Sequence, residues 1–235
     1  MKKNITVILI TVIVLAIFVF ILNTPVVTRQ GIDYRVSHIQ IPLYLKALNF
    51  IDRHYNYADL VKKITKDKKG PEEKAMALFA WTYQNIKRQP VELSIVDDHP
   101  WNIIVRGYGV AEQSSDVFTT LCNYAGMRAY YSYVYNKDRS AGIPLSFVKI
   151  KKDWYIFDLY NGFSFRDGSG RLLSIDKLKS GIDYLRLGNK GYTDIDYSFY
   201  LADLSTHPLV RLGRANIQSP FNRFIYQVRR WIEHR

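Results

Sequence analysis

Cys122 is the single thiol in the chain. A thiolate attacks a carbonyl readily when a histidine stands by to take its proton. One cysteine builds neither an internal disulfide framework nor a cysteine-based zinc site. Five histidines, His38, His54, His99, His207 and His234, are scattered without HxxxH or HxH spacing, so no metal site and no cofactor are expected. Serine nucleophiles would have to come from Ser114, Ser115 or Ser146. Inside a helix such hydroxyls usually pack or bond back to the preceding turn. His99 follows Asp97-Asp98 and precedes Pro100-Trp101. As a lone histidine it is expected to hold a loop end, although it could approach a cleft. Cys122 itself reads as a core residue shortly before a helix end.

These groups must be positioned by helices in the first half of the chain and strands in the second. Gly70-Pro71-Glu72-Glu73 starts a helix, with proline in the first turn and acids at the positive end of the dipole. That helix carries Ala75, Leu78, Phe79, Thr82 and Ile86 on one face and stops before Pro90. Leu45, Leu48, Ile51 and Tyr55, then Leu60, Val61 and Ile64, predict two short helices between about Pro42 and Lys66. Val91 to Arg106 reads as a loop, and residues 23–40 as a linker. Gly107-Tyr108-Gly109 leads into a helix over about Ala111 to Ala125, capped by Gly126. Arg128 to Tyr135 alternates as a strand does. Leu145–Ile150 and Trp154–Asp158 flank Lys151-Lys152-Asp153 as a hairpin, with turns at Asn161-Gly162 and Asp167-Gly168. Helices first and strands after predict an α+β fold.

Ahead of this lie 18 uncharged residues, Ile5 to Leu22, nearly all Ile, Val, Leu or Phe. As a helix they span about 27 Å, close to the hydrocarbon thickness of a bilayer. A cleaved signal peptide would have a shorter apolar run and a small-residue cleavage site, and Phe18 to Pro25 offers none. The segment is therefore expected to be an uncleaved single-pass anchor. Lys2 and Lys3 favour a cytoplasmic N-terminus, which places residues 23–235 outside the cytoplasmic membrane. The net charge of +12 is concentrated in runs such as Lys62–Lys69, Lys149–Lys152 and Arg229–Arg235. Such runs read as a plain solvated basic surface or, functionally, as one that favours anionic lipid headgroups, acidic glycans or nucleic acid. No zinc finger, RNP motif or helix-turn-helix accompanies the charge, which argues against nucleic acid.

Four segments, taken together and in order, resemble the transglutaminase-like (papain-like) superfamily. They are Ala77-Leu-Phe-Ala-Trp81-Thr-Tyr-Gln-Asn-Ile86, then Gly107-Tyr108-Gly109-Val110-Ala111 opening a helix that closes at Ala125-Gly126, then Leu145-Ser146-Phe147, and Trp154-Tyr-Ile-Phe-Asp158. The resemblance implies helices packed on a small antiparallel sheet, and acyl transfer or amide hydrolysis by a Cys-His-Asp triad. It places the cysteine at Ala111, the histidine at Leu145 and the aspartate at Asp158. Alanine has no nucleophile and leucine accepts no proton, so such a triad keeps at most positioning and oxyanion stabilisation. Cys122 is 11 residues beyond Ala111, about 16 Å along the same helix, and does not substitute. Ser146 adjoins the histidine position but faces the other side of the strand. Trp101, Tyr108, Glu112, Gln113 and His99 are the residues expected to line what remains of the cleft.

Ser219-Pro220 starts a last helix with Phe221, Phe224, Ile225, Val228, Trp231 and Ile232 at helical spacing. It has three uses open to it: packing on the domain, lying on a membrane, or docking to a partner. The expected organisation is an anchor (1–23), a linker and helical lead-in (24–70), a transglutaminase-like core (71–165) and a C-terminal extension (166–235). The expected function is a catalytically inactive binding or scaffolding subunit at the cell envelope, by analogy in surface polysaccharide or envelope assembly. Its partner would be a protein of an envelope complex or an anionic glycan. The alternative is a residual hydrolase or acyl transferase working without cysteine.

Overall fold

The computed structural model describes residues 2–32, 35–95, 99–180 and 195–201, with residues 225 and 232. Helix α1, Lys2–Leu22, comes first. Its stretch Asn4–Leu22 has a mean hydropathy of 3.4 and is long and apolar enough to cross a membrane. Strands β1 (Pro25–Ile32) and β2 (Arg35–Pro42) then form an antiparallel hairpin, from Pro25 opposite Pro42 to Ile32 opposite Arg35. This corrects the linker expected over 23–40. Val26, Val27, Thr28, Ile39 and Ile41 supply the β-branched side chains that favour pairing. Leu43 N donates to Thr24 O at 3.0 Å, so the hairpin leaves and rejoins the chain at the end of α1.

Helix α2 is one continuous helix, Leu43–Ile64, where two short ones were predicted. No glycine or proline interrupts it. Its apolar residues change phase instead: Leu45, Leu48, Ile51 and Tyr55 are exposed, whereas Tyr57 and Val61 are buried. Helix α3, Pro71–Asn85, buries Ala75, Leu78, Phe79 and Thr82. Its end passes into β3 (Lys87–Arg88), which pairs in parallel with β4 (Tyr108–Gly109). Between them, α4 (Pro100–Arg106) occupies the second half of the expected loop. Helix α5, Ala111–Tyr124, follows β4 directly.

Strands β5 (Arg128–Tyr135), β6 (Gly142–Ile150), β7 (Asp153–Asp158) and β8 (Phe163–Ser164) make an antiparallel sheet in that order. The β6–β7 hairpin turns at Lys151, whose φ is +57°. One face of the sheet, with Ala129, Val148, Ile150 and Phe157, packs on Phe118, Leu121 and Cys122 of α5 and on Leu78 and Phe79 of α3. The other face, with Tyr130, Leu145, Phe147 and Ile156, is covered by Phe163, Phe165, Ile175, Leu178, Tyr197 and Leu201. The last four come from α6 (Ile175–Ser180) and α7 (Tyr197–Leu201). The fold is α+β, helices on a small antiparallel sheet. The helix expected over 219–235 lies outside the described residues.

Candidate functional site

Gly107 ends α4 in the left-handed conformation, φ +76°. A side chain at Gly109 would collide with Gln113, whose Oε1 would stand 2.8 Å from the added carbon. That closeness lets Gln113 fold back over the head of α5. Its Oε1 accepts from Val110 N at 3.2 Å and from Arg106 Nη2 at 2.9 Å. Arg106 Nε in turn donates to Tyr108 O at 3.0 Å. The Gly-x-Gly turn is thereby fastened from both sides, and Ala111 is set at the first position of α5, half-buried. A helix head is where the dipole favours an anion and depresses a thiol's pKa, but a methyl group stands there. Glu112 follows, also half-buried.

Leu145 lies on β6 opposite Ser132 of β5, and no part of it is exposed. Ser146 pairs with Phe157, so Leu145 is carried next to Asp158 at the end of the β6–β7 ladder. Both turn to the sheet face away from α5: Leu145 packs in the second core, and Asp158 meets Tyr197 there. Asp158 is 2% exposed. Its carboxylate accepts from Tyr197 Oη at 2.7 Å, from Asn161 Nδ2 at 2.8 Å and from Asn161 N at 3.0 Å. A buried carboxylate demands such partners.

The five residues expected to line a cleft separate into two groups. Tyr108, Glu112 and Gln113 stay with Ala111. His99 and Trp101 do not. His99 caps α4, its Nδ1 accepting from Trp101 N at 3.4 Å and lying 3.3 Å from Tyr57 Oη. Tyr57 stacks on Tyr124 at 5.0 Å and meets Trp101 edge-on at 5.2 Å. Tyr124 is the last residue of α5, about 20 Å of helix from Ala111. Burial pushes the Cys122 thiol well above its ordinary value, which keeps it protonated and inert.

A cleft of about 220 Å³ opens between the end of α3, the first turns of α5 and the chain leaving β7. Its lining is Tyr83, Gln84, Ile86, Lys87, Arg88, Ser114, Leu159 and Tyr160. The Arg88 guanidinium lies over the Tyr160 ring at 4.4 Å, and its Nη2 donates to Asn161 Oδ1 at 3.2 Å. Gly162, φ +65°, presses against the Tyr83 ring. Of this lining the sequence reading had weighed only Ser114 as a candidate nucleophile, expecting a packing or back-bonded hydroxyl, and had placed Ile86 on the apolar face of its helix. The Ser114 Oγ instead makes no hydrogen bond among the described residues. The signal that could have found the cleft was Ser114's place one turn after Ala111, near the cations that follow α3.

Residues 58–163 match the transglutaminase-like superfamily. No curated protein matches the sequence. Among solved structures, a candidate cysteine protease from Cytophaga hutchinsonii is similar at 18% identity and TM-score 0.41, over 52% of this chain and 41% of that one. A candidate protease from Parabacteroides distasonis gives 10% identity and TM-score 0.38, over 57% and 35%. A transglutaminase gives 14% and 0.38, over 63% and 46%. The chain thus spans less than half the length of each of these structures. The Gly-x-Gly turn, the helix headed by Ala111 and the strands carrying Leu145 and Asp158 all fall inside the segment, residues 58–163, that matches the transglutaminase-like superfamily.

Proposed function

We propose that this chain is a membrane-tethered transglutaminase-like module that binds rather than catalyses. The observation that carries the reading is the pair Ala111 and Leu145. Ala111 occupies the helix head where the superfamily resemblance puts a cysteine, and Leu145 the strand position where it puts a histidine. Without a nucleophile and its base, acyl transfer by the triad has no first step. Asp158 remains, but Tyr197 and Asn161 engage its carboxylate. The α1 segment serves as an uncleaved anchor, and the globular part lies outside the cytoplasmic membrane. There the module acts as a binding or scaffolding subunit at the cell envelope, in surface polysaccharide or envelope assembly.

The test has two arms. The full chain in lipid nanodiscs is assayed for amide and ester hydrolysis and for amine incorporation into a glutamine-rich protein. No turnover above buffer is expected, and turnover abolished by a substitution in the domain would return the chain to the enzymes. In cells, the full-length mass should stay with membranes after an alkaline carbonate wash. External protease should remove the globular part from spheroplasts. A shortened, released form would overturn the anchor.

A further inference from the structure

We propose that the cleft between Lys87, Arg88 and Ser114 binds the carboxylate of an acidic sugar unit. The inference rests on the binding reading above and names the ligand class for it. Ser114 carries it. The residue is 4% exposed, its backbone N–H donates to Val110 O at 3.0 Å, and its hydroxyl has no partner among the described residues. A serine inside a helix often bonds back to the turn before it, and this hydroxyl does not. Here the hydroxyl lines a cleft, where a ligand oxygen would satisfy it.

Two cations share that lining. Neither Lys87 nor Arg88 has an acidic partner among the described residues. Tyr160 and Asn161 hold the Arg88 guanidinium from one side. Its other N–H groups stay available as a planar fork, which suits a carboxylate's two oxygens. A bare inorganic anion would call for donors all round. Half of this lining is instead aromatic or aliphatic: Tyr83, Ile86, Leu159 and Tyr160. Apolar ring faces beside a hydroxyl, an amide (Gln84) and two cations suit a pyranose ring, whose C–H face is apolar and whose edge carries hydroxyls and an acid. The volume, about 220 Å³, falls below the roughly 300–1,000 Å³ of pockets that enclose drug-sized ligands, so one sugar ring fits better than an extended peptide. The net charge of +12 draws a polyanion toward the domain.

The full chain in nanodiscs is titrated calorimetrically with trigalacturonate, with the uncharged trigalactose, and with inorganic phosphate. Binding of trigalacturonate alone is expected, weakening as salt rises. Arg88→Gln and Lys87→Gln should each reduce affinity by about tenfold or more, the loss of one charge-assisted hydrogen bond. Both positions are exposed, so wild-type melting curves are expected for the variants. Absence of trigalacturonate binding, equal binding of trigalactose, full competition by phosphate, or unchanged affinity in both variants would each overturn the inference. Loss of binding in a chain that also shows no turnover leaves the non-catalytic reading standing. Turnover with carboxylate binding intact sinks that reading and not this one.

Discussion

The hydroxyl of Tyr197 donates to the carboxylate of Asp158 at 2.7 Å, across 39 residues of chain and inside the second core. The bond ties α7 to the end of β7. The Asn161 side-chain and backbone amides complete the set of donors. The tyrosine comes not from the tyrosine-rich strand β5, with Tyr130, Tyr131, Tyr133 and Tyr135, but from the C-terminal extension.

Tyr197→Phe removes the donor and keeps the ring stacked on Phe163. Asp158 then retains Asn161 alone. The loss should be about 1–3 kcal/mol of stability, read as a lower urea midpoint at unchanged slope. A midpoint equal to wild type would mean that the bond contributes nothing.

Ala111→Cys should create no hydrolase or amine transferase, because no base is in place: Leu145 accepts no proton and turns away from α5. The matching change Leu145→His puts an imidazole into a site with no exposed surface, so the double variant is expected to lose stability rather than gain rate. Release of product from an amide substrate, blocked by iodoacetamide, in Ala111→Cys alone would expose a base that neither strand provides.

Cys122 and Tyr57 make the domain sensitive to alkali. Burial raises the Cys122 thiol, and burial followed by the nearby Asp116 charge raises the Tyr57 phenol. Both folded values lie above the unfolded ones. The neutral forms therefore stabilise the fold fully below about pH 8.5, and that contribution is lost as pH climbs through the folded values. Urea midpoints should fall from pH 7.5 to 10, and fall less in Tyr57→Phe. In the same range, a thiol reagent should label Cys122 only after unfolding; fast labelling of the native chain would contradict its burial.

Gly162→Ala should cost about 1–3 kcal/mol, since φ there is +65° and the new carbon meets the Tyr83 ring. Combining it with Tyr83→Ala should recover the steric part and leave the backbone part. Equal losses in the single and double variants would mean that Tyr83 moves aside freely.

The parts of the fold that could be read from the chain are those with strong punctuation. Pro71 with Glu72 and Glu73, Gly126 after α5, and the apolar runs on either side of Lys151-Lys152 mark their elements unambiguously. Helix α4 escaped because acids and a proline suggest a loop. Yet His99 before Pro100 is the same arrangement as Gly70 before Pro71, a residue in extended conformation followed by proline at the first helical position. The β1–β2 hairpin escaped because Arg29-Gln30 and Arg35 interrupt its apolar alternation. In α2, a change of helix face looked like a break. For the site, spacing along the chain located Ala111, Leu145 and Asp158 on their elements. It said nothing of which way the last two turn, nor of Tyr197. The cleft joins Tyr83–Arg88, Ser114 and Leu159–Tyr160, and no periodicity links side chains gathered from three such distant segments.

Strand β6 is a wall between two rooms. Leu145, Ser146, Phe147 and Val148 are all at most 2% exposed, although an antiparallel strand commonly leaves every second side chain wet. A fragment trimmed to the family-matched residues would keep the α5 side and strip α6 and α7 from the other. Tyr130, Leu145, Phe147 and Ile156 would then face water as one apolar patch, the kind of surface that drives aggregation. The family-matched segment ends at 163; the unit defined by burial extends at least to Leu201, and it is the second that has to be expressed if this sheet face is to stay covered.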